Sequence, residues 1–163
     1  LGATAWEKRE ISIEVPKWDA IKCIQCNRCS LVCPHAVIRP VLITYEEIKN
    51  APIDFVSVKA TGYDDMAYHL AISALDCTSC GSCINVCPAK DKAISMEKLS
   101  INREQYIIDW EYAKDIVSKK IPLNQSKTVK GSQFNKPLIE FSGACAGCGE
   151  TPYAKLVTQL MVC

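Results

Sequence analysis

Cys23-Ile24-Gln25-Cys26-Asn27-Arg28-Cys29-Ser30-Leu31-Val32-Cys33-Pro34 recurs as Cys77-Thr78-Ser79-Cys80-Gly81-Ser82-Cys83-Ile84-Asn85-Val86-Cys87-Pro88. Both copies have the spacing Cys-x2-Cys-x2-Cys-x3-Cys-Pro, an internal repeat around which the rest of the chain is read. A cubane of four irons needs one thiolate per iron, and a loop with a cysteine at every third residue wraps one corner and meets three of them. The fourth ligand then comes from elsewhere. Small or polar residues between the ligands, such as Gly81 and Ser82, let backbone N–H groups approach the sulfides, and the proline after each fourth cysteine turns the chain away.

In two-cluster ferredoxins the cysteine before proline ligates the other cluster. Applied here, one 4Fe-4S cluster takes Cys23, Cys26, Cys29 and Cys87, and the other takes Cys77, Cys80, Cys83 and Cys33. Zinc also accepts four thiolates, but zinc ribbons supply them as two separated Cys-x2-Cys pairs, and a triple run is poor geometry for a tetrahedron. The chain has 11 cysteines, an odd number with no export signal, which argues against a disulfide scaffold. Two clusters sharing ligands across one small domain lie close together, so the expected chemistry is electron transfer at low potential.

The flanking pattern indicates an α+β fold. Glu10–Val15 alternates polar and apolar, as a half-buried strand does, and Pro16 is expected to stop it. The apolar pairs Val37-Ile38 and Ala93-Ile94 mark partner strands, so the cluster loops are expected to hang between small antiparallel strands. Thr44-Tyr45-Glu46-Glu47 reads as a capping box opening a short helix that ends near Asn50 to Pro52. Val56 and Val58 suggest a strand, Gly62 to Asp65 a turn, and Tyr68 to Leu75 an apolar run into the second motif. This predicts a two-cluster ferredoxin-like domain over 1–104, with an insertion at about 40–75 packed beside the cluster core or against a neighbour. A helix is expected at Trp110–Lys119, within a helix-and-linker segment 105–136 whose stretch from Asn124 to Lys136 is the linker; a new unit opens over 137–163.

With 163 residues, 48% of them apolar, one modest core and an extension are expected rather than a large enzyme. Lys and Arg number 19 against 18 Asp and Glu, which gives no electrostatic pull toward nucleic acid. No apolar run approaches the roughly 20 residues that cross a bilayer, so the chain is read as cytoplasmic, with no membrane partner. It starts at Leu1 and stops at Cys163, and is read as a piece of something longer, with Cys163 an ordinary thiol.

His35 follows Cys33-Pro34, but the thiolate count is complete without it, so it is expected at the surface or behind the ligands; His69 is read as ordinary. Lys17, Lys22, Arg28 and Arg39 surround the first motif and are candidates for docking an acidic electron acceptor, although such charges are more often a solvated face.

Beyond the repeat, the chain resembles the iron-sulfur domain of pyruvate:ferredoxin (flavodoxin) oxidoreductase, running into the start of its last thiamine diphosphate-binding domain. The resemblance rests on Val15–Asp19, Cys33–Ala36, Leu70–Ile72 and Leu75–Cys77, and above all on Gln133-Phe134 and the stretch Glu140 to Tyr153. It implies that the chain serves an enzyme that oxidatively decarboxylates pyruvate to acetyl-CoA and CO2 and passes electrons through three 4Fe-4S clusters to ferredoxin or flavodoxin. On this reading the two clusters above are the medial and distal ones. Cys145 and Cys148 match two ligands of the third, and Glu150 falls near the thiamine diphosphate. The resemblance also implies Mg2+, coenzyme A as co-substrate and a homodimeric parent, whose other domains are partners of this segment. No catalytic residue is expected in the segment, which should be inactive alone. Competing readings are a free-standing two-cluster ferredoxin, the equivalent module of a pyruvate:NADP oxidoreductase, and a zinc-stabilised interaction module.

Overall fold

The computed structural model describes residues 3–116 and 127–161. Mixed helices and two small antiparallel sheets make up an α+β architecture. The first sheet pairs β1 (Glu14–Trp18) with β5 (Ile94–Lys98), with Pro16 opposite Met96. Pro16 therefore does not stop the strand. A two-stranded sheet is all edge, and an edge position tolerates the missing N–H. Ahead of β1, Ile11 and Ile13 face solvent while Ser12 is buried, the reverse of the expected sense, because the Ser12 hydroxyl donates to the carbonyl of Cys77.

The segment between the motifs supplies the larger sheet, ordered β2 (Ile38–Thr44), β4 (Met66–Ile72), β3 (Val58–Lys59). β2 and β4 run antiparallel, Ile38 opposite Ile72 and Thr44 opposite Met66. Their side chains are buried nearly without interruption, which explains why this stretch reads as continuous apolar runs rather than alternation. The region expected as an insertion supplies much of the core: Val41, Ile43, Tyr68 and Leu70 are among the most buried side chains. The capping box forms as expected, Glu47 N–H on Thr44 Oγ1 at 3.3 Å and Thr44 N–H on Glu47 Oε2 at 2.7 Å, and opens α2 (Tyr45–Lys49).

The short helices α1 (Arg28–Val32) and α3 (Ser82–Val86) follow the two cysteine loops and pack on each other. The helix expected at 110–119 begins earlier: α4 runs from Leu99 to Ile116 with a kink at Asn102, so position 104 falls inside it. Its Trp110 and Ala113 are buried, and the Tyr106 hydroxyl lies 3.1 Å from the Pro16 carbonyl and 2.7 Å from Glu97. Residues 117–126, which include the end of the expected helix and the start of the expected linker, lie outside the described residues, as does Cys163.

The later part of that linker is packed. Thr128 caps α5 (Val129–Ser132), and Ser132, Gln133 and Phe134 are buried. The reason lies in side-chain amides that composition does not reveal: Asn27 donates to the Lys130 carbonyl and Ser30 to Gln133. The last described element is α6 (Thr151–Met161), and no described helix is long and apolar enough to cross a membrane.

Candidate metal centres

The two cysteine loops are near-copies in three dimensions. Gln25 and Ser79, each one residue before the second cysteine, adopt φ of 55° and 56°; Asn27 and Gly81, each one residue after it, adopt 60° and 74°. These left-handed turns fold each loop back on itself, and asparagine and glycine are the residues that enter that region most readily. In both loops a backbone N–H then points at the first sulfur: Gln25 N to Cys23 Sγ at 3.4 Å, Ser79 N to Cys77 Sγ at 3.3 Å. Cys33 closes α1 with its N–H on Ser30 O, and Cys87 closes α3 with its N–H on Ile84 O, both at 3.2 Å.

Each loop has its own buttress. Gln25 spans to the β3 segment, donating to Lys59 O at 2.8 Å and accepting from Thr61 N at 2.7 Å, and the Tyr68 hydroxyl donates to Asn27 Oδ1 at 2.9 Å. The second loop is held by Ser12 on Cys77 O. Gln25, Asn27, Tyr68 and Ser12 escaped the sequence reading. Only Asn27, aligned with Gly81 in the repeat, gave a signal, since both residue types suit a left-handed turn.

The thiols sort into two sets. Burial pushes Cys83 up to about 12, reinforced by the nearby charges of Cys33, Cys77 and Cys80. Cys77 rises to about 11, again through burial first and with Cys33 and Cys80 adding to it. Cys29 is raised by burial, then by Cys23, Cys83 and Cys26. Cys33, from the first repeat, thus sits among the thiols of the second, and Cys29 and Cys83 form the seam between the sets. Cys87 accepts from Ala93 N–H at 3.4 Å. A small cavity is lined by Cys33, Cys77, Cys80 and Cys83 together with Pro34 and His35. Among the described residues, no three His, Cys, Asp or Glu side chains gather as a single metal ion would need, and the ten described cysteines are free thiols. Four thiols ringing a cavity, with amide hydrogens aimed at the sulfurs, fit a cubane bound through its corners. A cluster held there would supply the positive charge that lets thiols pushed up by burial ionise.

The remaining cysteines stand apart. Cys145 is exposed; Cys148, just ahead of α6, is held below the usual thiol range by the N–H groups of Thr151 and Glu150 and the Thr151 hydroxyl. Their loop lies against the second motif: a Cβ placed on Gly147 would stand 3.7 Å from Cys80 Cβ. Between them opens a cavity of about 570 Å³ lined by Leu31, Ser82, Asn85, Cys148, Pro152 and Tyr153. Glu150 is exposed at the start of α6.

The charged and histidine residues also have defined places. Arg39 is not a surface docking charge: it is buried and paired with Glu140, because Phe141 N–H bonds His35 O at 2.8 Å and brings Glu140 over β2. Lys17 pairs with Glu97 at 3.0 Å and Lys22 with Asp19 at 3.2 Å. His35 is buried and lines the same cavity as Cys33, with Nδ1 3.1 Å from Ser142 O. His69 stacks on Phe55 with ring centroids 4.1 Å apart. Lys155, unremarked in the sequence, is buried; it donates to the carbonyls of Ser30 and Cys33, and burial lowers it to about 8.

Residues 22–91 match the sequence model of the 4Fe-4S dicluster domain. Over 98% of its length the chain is 57% identical to a pyruvate-flavodoxin oxidoreductase of Enterobacter agglomerans, of which it spans 13%. It is 49% identical to a pyruvate:ferredoxin oxidoreductase of Moorella thermoacetica, covering 98% of the chain and 14% of that protein. It is also 47% identical to a pyruvate dehydrogenase [NADP(+)] of Cryptosporidium parvum, covering 98% of the chain and 8% of that protein. By descent the chain belongs to the family of pyruvate-flavodoxin and pyruvate:ferredoxin oxidoreductases, of which it corresponds to one segment that includes a 4Fe-4S dicluster domain.

Proposed function

We propose that the chain relays electrons through two 4Fe-4S clusters inside a protein that oxidatively decarboxylates pyruvate to acetyl-CoA and CO2 and reduces ferredoxin or flavodoxin. The observation that carries this reading is the gathering of Cys33 with Cys77, Cys80 and Cys83 around one cavity. That gathering supports a crossing of ligands, which would place two clusters side by side. The first cluster takes Cys23, Cys26, Cys29 and, by the matching geometry of the two loops, Cys87. When bound, each cluster supplies a one-electron site, and the chain's own part is to hold the two near each other and exclude water.

Cys145 and Cys148 provide two ligands of a third cluster, completed elsewhere in the longer protein. Contact between Gly147 and Cys80 supports an order in which electrons pass from that third site to the Cys77–Cys80–Cys83–Cys33 cluster, then to the Cys23–Cys26–Cys29–Cys87 cluster and out to the acceptor. Thiamine diphosphate with Mg2+ belongs to the rest of the protein, a homodimer on this reading, with Glu150 at the edge of its site and coenzyme A as co-substrate. The identity to a protein named for NADP+ supports a second reading, the same relay feeding a nicotinamide-linked acceptor. Anaerobic mixing of the full-length protein with pyruvate and coenzyme A should bleach the cluster absorbance. An absorbance indifferent to pyruvate would contradict the proposal.

A further inference from the structure

We infer that Lys155 is an electrostatic positioning residue that raises the reduction potential of the clusters, most of all the one ligated by Cys33. The inference rests on the cluster assignment above. Lys155 is 2% exposed, yet among the described residues its ammonium bonds only two backbone carbonyls, those of Ser30 and Cys33. Among the described residues its charged neighbours are Cys33, Arg39 and Cys29, with no carboxylate. A buried cation with no counter-charge is costly and is retained only where something anionic compensates it. Arg39, the other buried cation beside Cys33, is already paired with Glu140. Lys155 is left to face the thiolates.

Under the proposed ligation Cys33 and Cys29 belong to different clusters, so Lys155 stands at the seam between them. Four thiolates give a cubane site net negative charge, and reduction adds one more. A fixed cation nearby therefore stabilises the reduced form more than the oxidised one, and burial removes the water that would screen it. The ammonium bonds the carbonyl of Cys33 itself at 3.3 Å, whereas on the side of Cys29 it bonds the carbonyl of the next residue, Ser30. The larger effect is therefore assigned to the second cluster. Lys155 is carried by α6, directly after Cys145 and Cys148. Docking of that helix thus sets the driving force of the step that leaves the third site.

The test is an EPR-monitored potentiometric titration of the full-length protein, purified anaerobically, with Lys155→Met and Lys155→Arg and with iron and acid-labile sulfide counted in each. Methionine keeps the length and apolar stem of the side chain and removes the charge; arginine keeps the charge. In Lys155→Met the reduction equilibrium of the Cys33 cluster should shift about tenfold toward the oxidised form, ~59 mV for one electron, with a smaller shift at the other cluster. Lys155→Arg should stay within about threefold of the unsubstituted protein, ~28 mV on the same scale. Unchanged potentials with full iron content in Lys155→Met would overturn the inference, as would a Lys155→Arg that behaves like Lys155→Met. A merely structural contact would alter stability or iron content without this charge-dependent pattern. Iron or labile sulfide missing from the unsubstituted protein would instead overturn the cluster assignment itself.

Discussion

Glu140 closes a buried ion pair with Arg39, although the two lie 101 residues apart in the chain. The pair ties the segment after the linker to the edge of the central sheet, with Arg39 also stacked over Trp110 at 4.8 Å and Phe141 at 5.3 Å. Removing one partner leaves an uncompensated buried charge, whereas removing both does not. Glu140→Gln is expected to cost about 3–5 kcal/mol. The double variant Arg39→Met with Glu140→Leu should recover most of that loss. Urea unfolding of the three proteins under anaerobic conditions checks it.

The left-handed turn after the second cysteine of each loop is made by asparagine in one copy and glycine in the other. Nothing lies within 4 Å of a Cβ built on Gly81, so a substitution there meets only backbone strain. Gly81→Val should cost about 1–2 kcal/mol and shed iron faster on dilution. Gly81→Asn, which copies the residue at Asn27, should cost far less. Thermal melts of the loaded proteins, followed by the visible absorbance, distinguish the two.

His69 is held down to about 4 by burial, partly opposed by its hydrogen bond to Val56 O at 2.7 Å. The unfolded chain binds a proton near 6.5 and the folded one does not, so stability is full above about 6.5. It falls as pH drops through the window toward 4, by up to about 3 kcal/mol. Half-buried Asp109, raised to about 6 by burial, has the opposite sign between 3.8 and 6: it favours the fold at lower pH. The contribution of His69 is therefore read by difference. Chemical unfolding at pH 7.5, 6.5 and 5.5 should show a shallower acid-side slope in His69→Phe; equal slopes would contradict the assignment.

Cys33 belongs to the first repeat by sequence and lies among the thiols of the second by position, and on the proposed ligation it serves the second cluster. Cys33→Ser should therefore perturb the same EPR signal as Cys77→Ser, and a different one from Cys26→Ser. If Cys33→Ser and Cys26→Ser altered one signal together, each loop would hold its own cluster and the crossing would be wrong.

The 4Fe-4S dicluster character of residues 22–91 was legible because its spacing pattern lies within consecutive residues, and the α2 capping box because its partners are three residues apart. What stayed hidden was long-range. That Arg39 is buried depends on Glu140, and that 128–135 is packed depends on Asn27 and Ser30 reaching across the fold. Pro16 looked like a strand breaker because a proline's local meaning is clear, whereas its place on a sheet edge is set by β5, far along the chain. Ile11 and Ile13 misled because the polar Ser12 found an interior acceptor, Cys77 O, and took the buried side. Lys155 gave no signal, since one lysine in an amphipathic helix normally faces water.

The central claim is that this chain holds two adjacent 4Fe-4S clusters with crossed ligands. The most direct measurement is iron and acid-labile sulfide analysis of the anaerobically reconstituted chain, with EPR of its dithionite-reduced form. About eight irons and eight sulfides per chain, with the broadened spectrum of two spin-coupled clusters, is the predicted result. Zinc without labile sulfide, or about four irons with an isolated signal, would contradict it.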